Sequence, residues 1–283
     1  MALTAANPSG ALAALLPDGR LHLQHGPIDI VAEAFGDLPA IRPAYARAVR
    51  RFATILPELV AELPALRAEA GVLTGPIARR MEKAVAPFRP QFITPMAAVA
   101  GAVAEEVVAA LSGPGITRAY ANNGGDIALW VSPGQSLTCA LAASPMDRVT
   151  VRGSDPVRGI ATSGWRGRSV SLGIADAVTV VARTAAMADA AATMLANAVN
   201  LDHPGIQRRQ ARELLCDSDL GDRLVTVGVP RLEPHERATA LHAALLAADG
   251  FRARGLIEGA ALFLQGERRV TGALALELGD ASG

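Results

Sequence analysis

The chain has 283 residues, 51% of them hydrophobic and only 4% aromatic, which supports a sizeable core of small aliphatic side chains and argues against a base-stacking surface. Lys+Arg and Asp+Glu each number 27, so no global field gathers nucleic acid or an anionic membrane. The two cysteines, Cys139 and Cys216, lack the paired spacing of a metal site or a disulfide framework.

Taken in chain order, Leu12 to Glu33 reads as a hairpin: Leu15-Leu16, the turn Pro17-Asp18-Gly19, the alternating Leu21-His22-Leu23, then Ile28 to Val31 after Gly26-Pro27. Apolar residues from Pro43 to Leu66 fall at helical spacing, interrupted by Pro57 and Pro64, which predicts two or three helical pieces. Thr94-Pro95 then opens a small-residue helix from Met96 to Glu106, with the threonine as cap and the proline in the first turn. A strand follows Gly113-Pro114-Gly115, the tight turn Asn122-Asn123-Gly124-Gly125-Asp126 reverses it, and Ile127 to Val131 forms the next strand.

Cys139 sits in the apolar run Leu137 to Ala142 and reads as a small buried hydrophobe. Further strands are expected at Val170 to Leu172 and Ala177 to Ala182, a helix at Met187 to Val199, and a strand at Leu224 to Val229. The tail adds a helix at Glu236 to Ala248 and strands at Leu262 to Leu264 and Val270 to Leu278. Several strands are joined by turns too short for parallel crossovers, so the fold class is α+β with mixed or antiparallel sheets and packed helices. No linker divides residues 1–283, which read as one domain of one or two lobes. The charge-free stretch Ile127 to Met146 carries prolines and hydroxyls and does not suit a membrane span, and no leader pattern opens the chain, so the expected location is the cytoplasm.

Three segments carry candidate chemistry. Asp189 and Thr193 lie one helical turn apart with only alanines between, either as an oxygen half-site for Mg2+ or as an ordinary polar helix face. The turn Asn122 to Asp126 either cradles an anion on backbone amides freed by Gly124 and Gly125 or is a plain hairpin turn. Thr162-Ser163-Gly164, followed by Trp165, Arg166 and Arg168, offers hydroxyls and guanidiniums to a phosphate or is a polar surface loop. His203 beside Asp202 reads as lining a turn, and Ser218-Asp219-Leu220-Gly221 as a helix-to-strand turn.

In this order, the three segments resemble the carboxy-terminal half of the ApbE-like flavin transferases, with their Gly-Gly-Asp turn, Thr-Ser-Gly segment, and strand followed by Asp-Ala-x-Ala-Thr. The segment Met96 to Gly101, with Ala175 to Val178 and Ser218 to Gly221, is similar to an uncharacterised ApbE-like subfamily found in archaea and methylotrophic bacteria. The resemblance implies an ApbE-like fold and Mg2+ held by Asp189, Thr193 and a backbone carbonyl near Ala100. It also implies FAD or a related dinucleotide bordered by Asn122, Gly124, Gly125, Asp126, Thr162 and Ser163. The family reaction moves the FMN portion of FAD onto a Thr or Ser hydroxyl of a target protein and releases AMP.

Two departures stand out: Gly101 replaces the transferase lysine, and the His-x-x-Asp-Pro-x-Thr-Gly loop is absent, leaving Asp176 as the one candidate base. Two functions therefore follow. One is a Mg2+-dependent flavin transferase; the other is a non-catalytic flavin- or pterin-binding accessory protein in one-carbon cofactor metabolism.

Overall fold

Alternation of apolar and polar side chains shapes the first third of the sheet. In the computed structural model, which describes residues 5–6, 10–141, 144–167, 169–272 and 276–277, the chain opens with β1 (Ala5–Ala6), β2 (Leu12–Leu15), β3 (Leu21–His25) and β4 (Ile28–Gly36). Each strand pairs antiparallel with the one before, so the expected hairpin is the middle of a longer meander. Leu21, Leu23, Ile30 and Ala32 are buried on one face, whereas His22, Asp29 and Val31 alternate to the other.

Helices then cover the apolar face: α1 (Leu38–Ala61), α2 (Leu63–Leu66), α3 (Pro76–Val85), the 3-10 turns Ala86–Phe88 and Pro95–Ala98, and α4 (Val99–Leu111). The pieces expected between Pro43 and Leu66 number two, but α1 runs unbroken through Pro43 and Pro57 and ends only before Glu62. A proline removes one helical N–H bond. Here the burial of Tyr45, Phe52, Ile55 and Leu59 along one face outweighs that loss.

The remaining elements are β5 (Ile116–Asn123), β6 (Asp126–Val131), β7 (Ser136–Leu141), β8 (Ser144–Arg152), β9 (Gly159–Ser163), β10 (Ala177–Ala182), α5 (Ala185–Ala198), β11 (Gln207–Gln210), α6 (Ala211–Leu214), β12 (Leu224–Gly228), α7 (Pro234–Ala253), β13 (Gly259–Leu264), β14 (Glu267–Gly272) and β15 (Leu276–Glu277). Ten strands form one sheet in the order β1-β2-β3-β4-β5-β6-β9-β10-β13-β14, and β15-β8-β7 and β11-β12 form smaller ones. Among the described residues every strand pair is antiparallel, which bears out the α+β class in its antiparallel form. The expected strand at Val170 to Leu172 is a loop, because the Ser171 and Leu172 carbonyls are taken singly by Thr226 and by Arg208 with Asn200. Arg168 and part of the expected Val270 to Leu278 strand lie outside the described residues.

The main core lies between the large sheet and α1, α3, α4, α5 and α7. A second, smaller core on the opposite face joins Ile127, Leu129, Val131, Ile160 and Val181 to Leu137, Val149 and Val151 of β7 and β8. Cys139 packs against this second core but is only partly buried, so the expected buried hydrophobe keeps some exposure; desolvation still pushes its thiol up to about 11.

Two acceptors fix the start of α5. Thr184 caps it by accepting from the Met187 amide at 3.2 Å, and Glu105 of α4 accepts the Ala186 amide at 2.8 Å while pairing with Arg80. Desolvation raises the Glu105 carboxyl, opposed by the Ala186 amide and Arg80. Glu105→Ala is expected to cost about 1 kcal/mol, the usual loss when a helix-end acceptor is removed. Urea unfolding checks it: the midpoint falls with the slope unchanged.

Candidate functional site

Gly124 and Gly125 make the two-residue turn between β5 and β6, with φ of 67° and 116° that other residues rarely adopt. Asn123 and Asp126 form the closing pair, and the Gly125 amide donates to Asn122 Oδ1 at 2.8 Å. A β-carbon at Gly125 would meet nothing within 4 Å, so the turn faces open space. Beside it lies a depression of about 340 Å3 lined by Asp29, Val31, Asn122, Gly124 and Gly125.

The side of the turn nearer the helices holds the carboxylates. Asn123 is buried and donates through Nδ2 to the Ala100 carbonyl at 3.2 Å, which ties the turn to the first residues of α4. The next amide, Gly101 N–H, donates to Asp189 Oδ2 at 3.0 Å. Asp126 Oδ1 accepts the Thr162 amide at 3.1 Å. Crowding by protein atoms pushes the Asp189 carboxyl well above its ordinary value of 3.8, and the negative charge of Asp126 pushes it further, against the amides of Gly101 and Ala100. Thr193 follows one turn along α5 and keeps partial solvent access.

Asp189 is thus held against the first turn of α4 through the Gly101 amide and feels the charge of Asp126, while Asn122, the strand partner of Val31, faces the depression on the other side of the sheet. The Thr162 hydroxyl turns away, sharing a hydrogen bond of 2.9 Å with Thr179, and Ser163 ends β9 in a partly exposed position. Asp176 stands before β10, whereas Asp189 lies in the helix that follows the other end of that strand. Its carboxylate pairs with Arg166 Nε at 2.8 Å and accepts the Gln265 amide, so it steadies the turn between β13 and β14. There Gln265 holds a φ of 45°. Asn123 is a residue of the candidate site that sequence reasoning passed over; its signal was the second asparagine of the Asn122-Asn123 pair.

Among the described residues, no cluster of three or more His, Cys, Asp or Glu side chains is arranged to hold a metal ion. His203 lines a turn as expected, accepting the Gly205 amide at 3.0 Å with Glu236 at 3.5 Å. No helix of the described residues is long and apolar enough to cross a membrane.

A family model described as AbpE bacteria matches residues 13–270. The chain belongs to this ApbE-like family. Its curated relatives include UPF0280 proteins of Methanothrix thermoacetophila, 40% identical over 131 residues (45% of this chain, 54% of the relative), and of Methanococcoides burtonii, 38% identical over 118 residues (41% and 50%). The UPF0280 protein of Methanopyrus kandleri is 36% identical over 159 residues (55% and 62%). The chain spans roughly half the length of these relatives. Within this ApbE-like chain, Gly101 has a packing explanation, because a β-carbon there would lie 2.3 Å from the Ala185 carbonyl oxygen.

Proposed function

We propose that the chain holds Mg2+ together with a flavin dinucleotide of the FAD class at the junction of α4, α5 and the β5–β6 turn. The geometry that carries this reading is the Asp189 carboxylate bound to the Gly101 amide beside the Ala100 carbonyl, which Asn123 holds from the position paired with Asp126; the charge of that second carboxylate raises Asp189. Such a pair suits either a shared proton or a cation. The neighbouring donors are oxygens, the Ala100 carbonyl and the Thr193 hydroxyl, which fits Mg2+, a cation bound by one or two carboxylates and completed by water and substrate phosphate. Asp126, Asp189, Thr193 and Ala100 would hold the ion, which when bound supplies positive charge to the phosphoryl oxygens.

The chain's own part is positioning. Asn123 and the Gly101 amide fix the carbonyl and the carboxylate, and the turn at Gly124 and Gly125 leaves room for a pyrophosphate to approach. In the transfer reaction, the acceptor hydroxyl of a target protein bonds to the FMN phosphorus as the pyrophosphate bond to AMP breaks, and the hydroxyl proton needs an acceptor. Asp176 is engaged by Arg166 and Gln265, which favours a second reading in which the dinucleotide is held without transfer.

Thermal unfolding with Mg2+ and with FAD, FMN or a pterin tests the reading, since a ligand that binds only the folded state raises the midpoint. We expect a Mg2+-dependent shift with FAD that Asp126→Asn and Asp189→Ala both abolish. No shift with any flavin would end the flavin reading. Where FAD binds, Mg2+-dependent AMP release assigns transfer, and retention of intact FAD assigns holding.

A further inference from the structure

Residues 207–228, comprising β11, α6 and β12, carry a two-stranded sheet of their own, separate from the ten-stranded one. Ala211 and Val225 are buried there but belong to neither hydrophobic core. Ile206 and Val229, just outside the two ends, do pack on the main core, and Gly205 and Gly228 adjoin those ends. Polar and ring contacts attach the lobe between these anchors.

On one side, Asp219 accepts a hydrogen bond from the Thr94 hydroxyl, Asp217 pairs with Arg67 at 2.5 Å, and the Arg223 guanidinium lies 3.2 Å from the centre of the Phe92 ring. Thr94 is only 2% exposed and occupies the N-cap position of the turn Pro95–Ala98, yet its side chain makes no capping bond there. The hydroxyl expected to cap the helix is given to Asp219. From Thr94 the chain runs through that turn directly to Ala100.

On the other side, the Thr226 amide donates to the Ser171 carbonyl at 2.8 Å, and Arg208 donates to the Leu172 carbonyl at 2.6 Å and to Asn200 at 2.7 Å. Asn197 holds the same loop by accepting from the Leu172 amide at 3.0 Å. Asn197 continues the α5 row Asp189, Thr193, Asn197 at helical spacing. The lobe therefore bridges two segments that both lead back to the candidate site.

Exposed ion pairs contribute little to stability, whereas buried apolar area contributes most. A unit that adds little to the main core and is attached largely by polar contacts opens more readily than the body it rests on. We propose that residues 207–228 form a hinged clasp beside the site, closed by the Thr94–Asp219 hydrogen bond and turning about its ends next to Ile206 and Val229. That the clasp covers bound dinucleotide rests on the function proposed above; the hinge and its latch do not.

Hydrogen exchange of the full chain, read by mass spectrometry, separates the two. In the free protein, amides of residues 207–228 should exchange as a group at least about tenfold faster than those of β10 and α5. Asp219→Ala and the near-isosteric Thr94→Val should each speed the lobe about tenfold more, the loss of one hydrogen bond to a charged group, with β10 and α5 unchanged. The double variant should add nothing beyond either single one. Lobe amides that exchange only with the core strands, or variants that leave the lobe unchanged, would overturn the clasp. With Mg2+ and FAD added, slower lobe exchange supports the covering role, and binding that leaves the lobe unchanged overturns it. If FAD does not bind, the flavin reading fails, and exchange in the free protein alone decides the hinge.

Discussion

Gly101→Ala is expected to lower the melting temperature by about 5 °C, despite placing a better helix former in α4. A β-carbon at this position would lie 2.3 Å from the Ala185 carbonyl oxygen, 2.5 Å from its carbon and 2.8 Å from the Ala186 nitrogen. These are backbone atoms, and they have nowhere to go. On their far side a β-carbon at Gly159 would lie 2.3 Å from Ala185 Cα and nitrogen, so the start of α5 is gripped between two glycines. Overpacking against fixed backbone costs about 3 kcal/mol, against about 1 kcal/mol gained in helix propensity. The net loss of about 2 kcal/mol converts at roughly 2–4 °C per kcal/mol.

Gly101→Lys should be worse. It would put back the residue of the transferase pattern without restoring its geometry, since Asp189 lies one turn into the helix that must move. Thermal unfolding of Gly101→Ala, Gly101→Lys and Gly159→Ala tests the grip. A change within about 1 °C for Gly101→Ala would show that the two helices slide apart at no cost.

The same local chemistry decides what the sequence could show. The β5–β6 turn was legible because two adjacent glycines between alternating strands leave few other conformations. Helix α5 was legible from its alanine-rich run, and the antiparallel class from turns too short to cross over. By contrast, β11 consists of Gln207, Arg208, Arg209 and Gln210 and is a strand only because β12 pairs with it. Val170 to Leu172 carried a strand pattern but finds no ladder to join. β7 and β8 form a hairpin that packs on the outer face of the large sheet, where tertiary burial rather than a strong local pattern specifies them. For the site, Asp126 and Asp189 each belonged to a recognisable segment. Their mutual approach depends on β6 and α5 meeting in space, and the Thr94–Asp219 contact depends on a fold-back across 125 positions.

Asp189→Asn should stabilise the protein at pH 8 when divalent cations are chelated, and should do so progressively less as the pH falls. Desolvation first, and then the charge of Asp126, raise the Asp189 carboxyl well above 3.8, so the folded state holds this proton more tightly than the unfolded state. The stability from that proton is fully present below the unfolded value of about 3.9 and is lost as pH rises through the raised folded value. Above it the chain carries a desolvated carboxylate that an uncharged asparagine avoids, while the asparagine oxygen still accepts the Gly101 amide.

Mg2+ reverses the order. At a hundredfold excess over its Kd it adds about 2.7 kcal/mol to the form that binds it, which is several degrees in a chain of this size. The wild type should gain that shift and the asparagine variant should not. Melting curves across pH 4 to 8, with chelator and then with Mg2+, read both halves. A variant less stable than wild type at pH 8 in chelator would mean that the carboxylate already has a compensating partner in the folded protein. Equal Mg2+ shifts in the two proteins would place the cation elsewhere and remove Asp189 from its shell.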